Sequence, residues 1–145
     1  MDTYKNLPEI QKAQLRKFPA YITLLAASYH NHGMDEKEKQ AAIKFTHVKS
    51  FKSEPLLADF YDDVEKDFEQ TLTLLNSQLP KPKKEREAAI KAELDKIEKI
   101  LVGLDTEYSV ALHKSMETYR EHVAHCHDSM LEYFIFPIPI KGLTY

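Results

Sequence analysis

The spacing of apolar residues is the feature that most constrains the fold of this chain. Between residues 57 and 79, apolar side chains recur at steps of three or four, which is the period of an α-helix and not that of a strand. Similar spacing continues on both sides of this segment, and no hairpin signal such as Asn-Gly interrupts it. Glycine occurs only at positions 33, 103 and 142, each at the end of a periodic segment. The sequence therefore predicts an all-α fold.

Local start and stop signals divide this pattern into helices. Asp35 followed by Glu38 has the spacing of a capping box, which begins a helix. Gly103 ends one helix and Asp105 caps the next, while Pro19 breaks the first long segment near its middle. We therefore predict a compact bundle of five to six helices. The predicted helices are 9–31 with a break near Pro19, 35–50, 54–79, 84–102 and 105–134.

Composition bounds the class of protein. A chain of 145 residues with 43% hydrophobic residues is long enough to bury one core, which predicts a single domain over residues 1–145. The net charge of −3 favours neither nucleic acid nor an anionic membrane as a partner. The only cysteine, Cys126, suits a reducing compartment. No apolar run has the length of a membrane span, so we expect no membrane insertion. The lone thiol then predicts a cytoplasmic protein, and the near-neutral charge predicts no nucleic-acid partner.

The C-terminal residues form an apolar segment with two prolines. Residues 133–140 read Tyr-Phe-Ile-Phe-Pro-Ile-Pro-Ile, and Pro137 and Pro139 force an extended path. We expect this tail to pack back across the bundle and close the core. The alternative is that it binds a protein partner or forms a homodimer, because an exposed apolar stretch of this size marks an interface.

The last predicted helix is rich in potential metal ligands. His113, Glu117, Glu121 and His125 follow one another at steps of four. Each step of four rotates the position by about 40° around a helix, so the first and last cannot share one ion. We interpret this stripe as a solvated face with paired charges. A phosphotransfer role for His113 is a weaker alternative, because no glycine follows His113-Lys114-Ser115 to let a partner approach.

Two other histidines of this helix flank its apolar stripe. His122 and His127 lie on opposite sides of that stripe, and either could point between helices. Such a histidine could make a hydrogen bond between two helices, or it could coordinate a metal ion. A metal-dependent helical bundle would use one of them together with a histidine such as His47.

No motif of a known catalytic class is present in the sequence. A nucleophile elbow, a phosphate-binding glycine loop, a dinucleotide fingerprint and a Cys-x-x-Cys pair are all missing. The sequence therefore predicts no catalytic residues and no organic cofactor, and a divalent metal is the cofactor that its histidines and carboxylates would suit.

One segment resembles a known family. An alanine-rich stretch at residues 24–28, then Gly33, Met34, Asp35 and Glu38 follow the order found in the tellurite-resistance TerB-like helical family. The resemblance covers about residues 20–45. It implies a compact helical bundle, acidic loop residues that coordinate a divalent cation in some members, and a role in stress-linked or envelope-associated complexes more than in catalysis.

The same segment is also a candidate metal site. His32 would supply a nitrogen, and Asp35, Glu36 and Glu38 would supply oxygens. Where the family has acidic residues before the glycine, this chain has His30-Asn31-His32, which favours a transition metal over a hard cation such as calcium. The alternative is that the carboxylates of Asp35 and Glu38 only stabilise the helix N-terminus.

Two functions follow from these patterns as hypotheses. The first is a non-catalytic binding or scaffold module of TerB-like type, connected with stress responses. The second is a metal-binding protein or metal-dependent enzyme that uses histidines of the last helix.

Overall fold

The computed structural model describes residues 2–28, 34–52 and 55–124 of the chain. These residues contain six α-helices and two short 3-10 turns, at Tyr4–Asn6 and Pro55–Leu57. The described part of the molecule is an all-α bundle, which confirms the predicted fold class. The predicted C-terminal tail lies outside the described residues. The helices are α1 Glu9–Arg16, α2 Phe18–Ala27, α3 Glu36–Lys52, α4 Ala58–Gln78, α5 Lys83–Val102 and α6 Thr106–Ala124.

The first predicted helix is two helices that meet at one residue. Lys17 is both the last cap of α1 and the first cap of α2, and its amide donates to the carbonyl of Gln14 at 3.1 Å. Pro19 follows in the first turn of α2, where its missing N–H costs no hydrogen bond. The chain therefore changes direction at Lys17, as the position of the proline predicts.

The fourth helix begins later than the sequence suggests. We expect a helix from residue 54, but the α-helix starts at Ala58 and a 3-10 turn over Pro55–Leu57 precedes it. The tighter turn brings Leu57, which is 3% exposed, into the core beside α6. The 3-10 turn thus places Leu57 in the core before the regular helix begins.

Helix α2 is the centre of the bundle. All ten of its residues are buried, and it packs against α4, α5 and α6. In the sequence, the helical spacing of Phe18, Ile22 and Leu25 predicts one inner face on this helix. The structure differs because α2 has neighbours on every side, so even Thr23 is buried, and its hydroxyl donates to the carbonyl of Pro19 at 2.8 Å.

Buried tyrosines join the outer helices to one another through their hydroxyls. The Tyr61 hydroxyl hydrogen bonds to Ser115 on α6, and the Tyr119 hydroxyl bonds to Thr46 on α3. Both tyrosine rings are completely buried. These bonds satisfy polar atoms that would otherwise be stranded in an apolar core, and they hold α3, α4 and α6 in register.

A second polar network ties the N-terminus to α4. The Tyr4 hydroxyl donates to the carboxylate of Asp63 at 2.7 Å and accepts a hydrogen bond from the Arg16 guanidinium at 2.9 Å. Burial, together with the neighbouring Asp63 carboxylate, raises the pKa of Tyr4 to about 12, although the Arg16 guanidinium acts in the opposite direction. The network fixes the short turn at Tyr4–Asn6 against the bundle.

Candidate functional site

The acidic residues at the start of α3 form a capping box. The amide of Glu38 donates to the Asp35 carboxylate at 2.8 Å, and the amide of Asp35 donates to the Glu38 carboxylate at 2.9 Å. The side chain of Glu38 is fully buried, whereas Glu36 is exposed and accepts a hydrogen bond from Gln40 at 2.8 Å. The helix-capping reading of Asp35 and Glu38 is confirmed. His32 lies outside the described residues, so a shared ion with these carboxylates stays a prediction.

His113 does not lie on a solvated face, and that part of the sequence interpretation is wrong. Its side chain is 12% exposed, and its Nε2 lies 2.9 Å from both carboxylate oxygens of Glu98 on α5. The imidazole also packs edge-on against Phe18, with ring centres 6.3 Å apart. His113 is therefore an interhelical residue that links α6 to α5 and to the central helix.

His122 occupies a different environment on the same helix. Its imidazole stacks on the ring of Phe45 from α3, with centroids 4.4 Å apart and planes 20° from parallel. The side chain remains exposed. Of the two flanking histidines proposed as metal ligands, His122 thus points toward α3, while His127 lies outside the described residues.

His122 stands beside a groove between α3 and α4, with a volume of about 930 Å³, which we call the α3–α4 groove. Its base is formed by side chains that reach toward the core, including Ile43, Thr46 and Phe68. Exposed polar side chains from the two helices form its walls. The lining comprises Lys37, Gln40, Ala41, Ile43, Lys44, Thr46 and His47 of α3, residues 65–70 of α4, and His122 of α6.

The two walls of the groove carry opposite charges. Helix α3 contributes Lys37 and Lys44, whereas α4 contributes Glu65, Asp67 and Glu69 against a single lysine, Lys66, so the net charge of the α4 wall is negative. These side chains are all exposed. A ligand lying in the groove would therefore meet positive charge along one side and negative charge along the other.

One contact bridges the two walls directly. The Nδ1 atom of His47 pairs with a carboxylate oxygen of Glu65. The imidazole is 76% exposed, so this pair is a surface interaction that contributes little to stability. His47 and His122, the two histidines named together in the metal hypothesis, thus both line the α3–α4 groove.

Helix α4 is kinked at the groove. Asp67 has φ of −140° and ψ of 22°, which are not helical values, although the helix continues on both sides. Neither proline nor glycine occurs between residues 58 and 78, so the kink has neither of the commonest sequence causes. The bend lies within the lining of the groove.

The described residues hold no assembled metal centre. Within residues 2–28, 34–52 and 55–124, no group of three or more histidine, cysteine, aspartate or glutamate side chains is close enough to hold an ion. In the same ranges, no helix is both long and apolar enough to cross a bilayer.

Sequence reasoning missed the groove because its walls come from separate helices. Lys44 and Glu69 look like ordinary solvent-facing residues in the sequence, and only the packing of α3 beside α4 brings them to one site. No local signal distinguishes them from other exposed charges. Comparison of the chain with protein-family models, with curated proteins and with solved structures finds no match.

Proposed function

We propose that this protein is a non-catalytic helical binding or scaffold module and that the α3–α4 groove is where it binds a protein partner. The observation that carries the proposal is the groove itself, with an apolar base and exposed charged walls. Helical proteins use such grooves to receive a segment of another protein, whose apolar side chains fill the base. The resemblance of residues 20–45 to the TerB-like family adds the expectation of a stress-linked or envelope-associated complex, and the lone cysteine adds that of a cytoplasmic location.

Site-specific crosslinking tests this function. A photoreactive amino acid replaces Gln70 in the groove wall, and the matched control replaces Lys91, an exposed residue of α5. We expect one defined partner to be crosslinked from position 70 and not from position 91. The partner is then purified, and its affinity is measured by calorimetry for the unaltered chain and for Ala41→Trp, which fills the groove. The absence of any partner, or equal affinity for both chains, contradicts the proposal.

Metal binding is a second candidate, favoured by the placement of His47 and His122 on one groove. Imidazole and carboxylate are donor types that zinc and similar ions accept. His47, His122 and Glu65 do not form one group close enough to hold an ion in this arrangement, so metal binding would require their side chains to move together. Elemental analysis of the purified chain, followed by titration with Zn²⁺ and Co²⁺, tests it. Uptake of one equivalent that is lost in His122→Ala supports the metal function. No stoichiometric metal and no uptake exclude it.

A further inference from the structure

The charges on the groove walls indicate the kind of partner it accepts. From Lys37 to His47, the groove follows eleven residues of α3, and the ten steps between them correspond to about 15 Å at the rise of an α-helix. A partner helix of about three turns spans this length. Such a helix would place an apolar stripe on the base formed by Ile43 and Phe68.

We propose that the occupant is an amphipathic helix of a partner protein that has acidic residues along one edge of its apolar stripe and basic residues along the other. The acidic edge faces Lys37 and Lys44, and the basic edge faces Asp67 and Glu69. This inference rests on the proposed function and specifies its partner. The argument is charge complementarity, because a helix with the same charge on both edges meets repulsion at one wall.

The arrangement of charge also sets the direction of the bound helix. If the acidic and basic edges of a partner helix are exchanged, turning the helix end for end restores both attractive pairings. Exchange of the edges therefore reverses the polarity of binding without abolishing it. A groove with walls of equal charge would not show this behaviour.

Binding of four synthetic helical peptides tests the proposal. All four share one apolar stripe, and their edges are acidic and basic, basic and acidic, both acidic, or both basic. We expect the two mixed-edge peptides to bind the full chain at least tenfold more tightly than either same-edge peptide at low salt. The preference should shrink at about 0.5 M salt, because exposed charges are then screened. Equal affinities for all four overturn the proposal.

A spin label at the peptide N-terminus reports the direction in which the bound peptide lies along the α3–α4 groove. For one mixed-edge peptide, we expect broadened amide signals near Lys37, and for the other, near His47. The double variant Lys44→Glu, Glu69→Lys should weaken or reverse this polarity. The matched control Lys91→Glu, Asp95→Lys changes exposed charges on α5 and should leave it unchanged. The same direction for both mixed-edge peptides overturns the proposal.

The remaining outcomes separate this inference from the proposed function. If no peptide binds but the crosslink from position 70 identifies a partner, the inference fails and the function stands. If residues 125–145 of this chain occupy the groove, Phe136→Ser shifts the signals of Ile43 and Phe68, and the inference also fails. If a second copy of this chain occupies the groove, light scattering shows a dimer that Ala41→Trp dissociates. The inference fails in that case too.

Discussion

Helix α2 and the α3–α4 groove differ in the burial and the charge of their side chains. All ten side chains of α2 are buried, and the Thr23 hydroxyl makes its hydrogen bond inside the protein. In the groove, the walls carry exposed charges, and the pair of His47 with Glu65 that bridges them lies at the surface.

Because of this difference, α2 contributes mainly to the stability of the fold, whereas the groove is proposed to contribute to partner recognition. Substitutions in α2 remove packing that folding depends on, whereas substitutions of the groove walls remove exposed charges, whose surface interactions contribute little to stability. The two regions can therefore be altered independently, which makes the function of the groove testable in a folded protein.

The largest effect is expected at the central helix. Leu24→Ala removes a fully buried side chain and leaves a cavity, so the free energy of unfolding should fall by about 2–5 kcal/mol. Urea denaturation followed by circular dichroism measures the change. The matched control is Leu74→Ala on α4, where the leucine is 55% exposed and the change should stay within about 0.5 kcal/mol. Equal losses would show that the core is not centred on α2.

Alkaline pH should destabilise the protein through the tyrosines of the core. Burial raises the pKa of Tyr4 and of Tyr21 to about 12, whereas an unfolded tyrosine ionises near pH 10. Between these values the unfolded chain holds fewer protons than the native one, so stability falls as pH rises. The contribution of these tyrosines to the free energy of unfolding is fully present below pH 10.

Ultraviolet titration at 295 nm measures tyrosine ionisation directly. We expect part of the tyrosine absorbance to appear only together with unfolding above pH 10. Ionisation of all tyrosines near pH 10 in the folded protein would contradict the burial of these rings.

A smaller effect is expected at the hydrogen bond between Tyr61 and Ser115. Tyr61→Phe leaves the Ser115 hydroxyl buried without this partner and should cost about 1–3 kcal/mol. The double variant with Ser115→Ala should lose less than the sum of the two single variants. Additive losses in chemical denaturation would mean that the hydroxyls do not interact.

The next prediction concerns the capping box at the start of α3. Asp35→Ala removes the acceptor for the Glu38 amide and should destabilise the fold by about 1 kcal/mol. Glu36→Ala, one residue later, removes an exposed carboxylate outside the box and serves as the control. If metal binding by these residues dominates, the loss on Asp35→Ala would instead depend on added divalent ion.

The smallest change in stability is expected in the groove. Glu69→Lys replaces an exposed charge and should change the free energy of unfolding by no more than about 0.5 kcal/mol. Affinity for the crosslinked partner should nevertheless fall at least tenfold. A large loss of stability would place the α4 wall with the core and would remove the contrast between the two regions.

Most of the fold follows from local sequence signals. Apolar spacing locates the helices, and Pro19 locates the break between α1 and α2. The capping box of Asp35 and Glu38 is likewise a short-range pattern with a short-range cause. These features are predictable because the interacting groups are within four residues of one another.

The features that sequence reasoning missed depend on distant residues. His113 is covered because Phe18 and Glu98 pack against it, and neither is a neighbour in the sequence. The groove likewise depends on where α4 lies beside α3. A helical wheel describes one helix at a time and cannot supply such placements.

The enclosure of α2 has a consequence for how the protein opens. A helix of ten residues is too short to be stable alone in water, so it depends on the helices packed around it. Its amide hydrogens can meet solvent only when that packing separates. Hydrogen exchange in α2 should therefore be the slowest in the molecule and proceed at the rate set by global unfolding, while the amides of α3 beside the groove exchange through smaller openings.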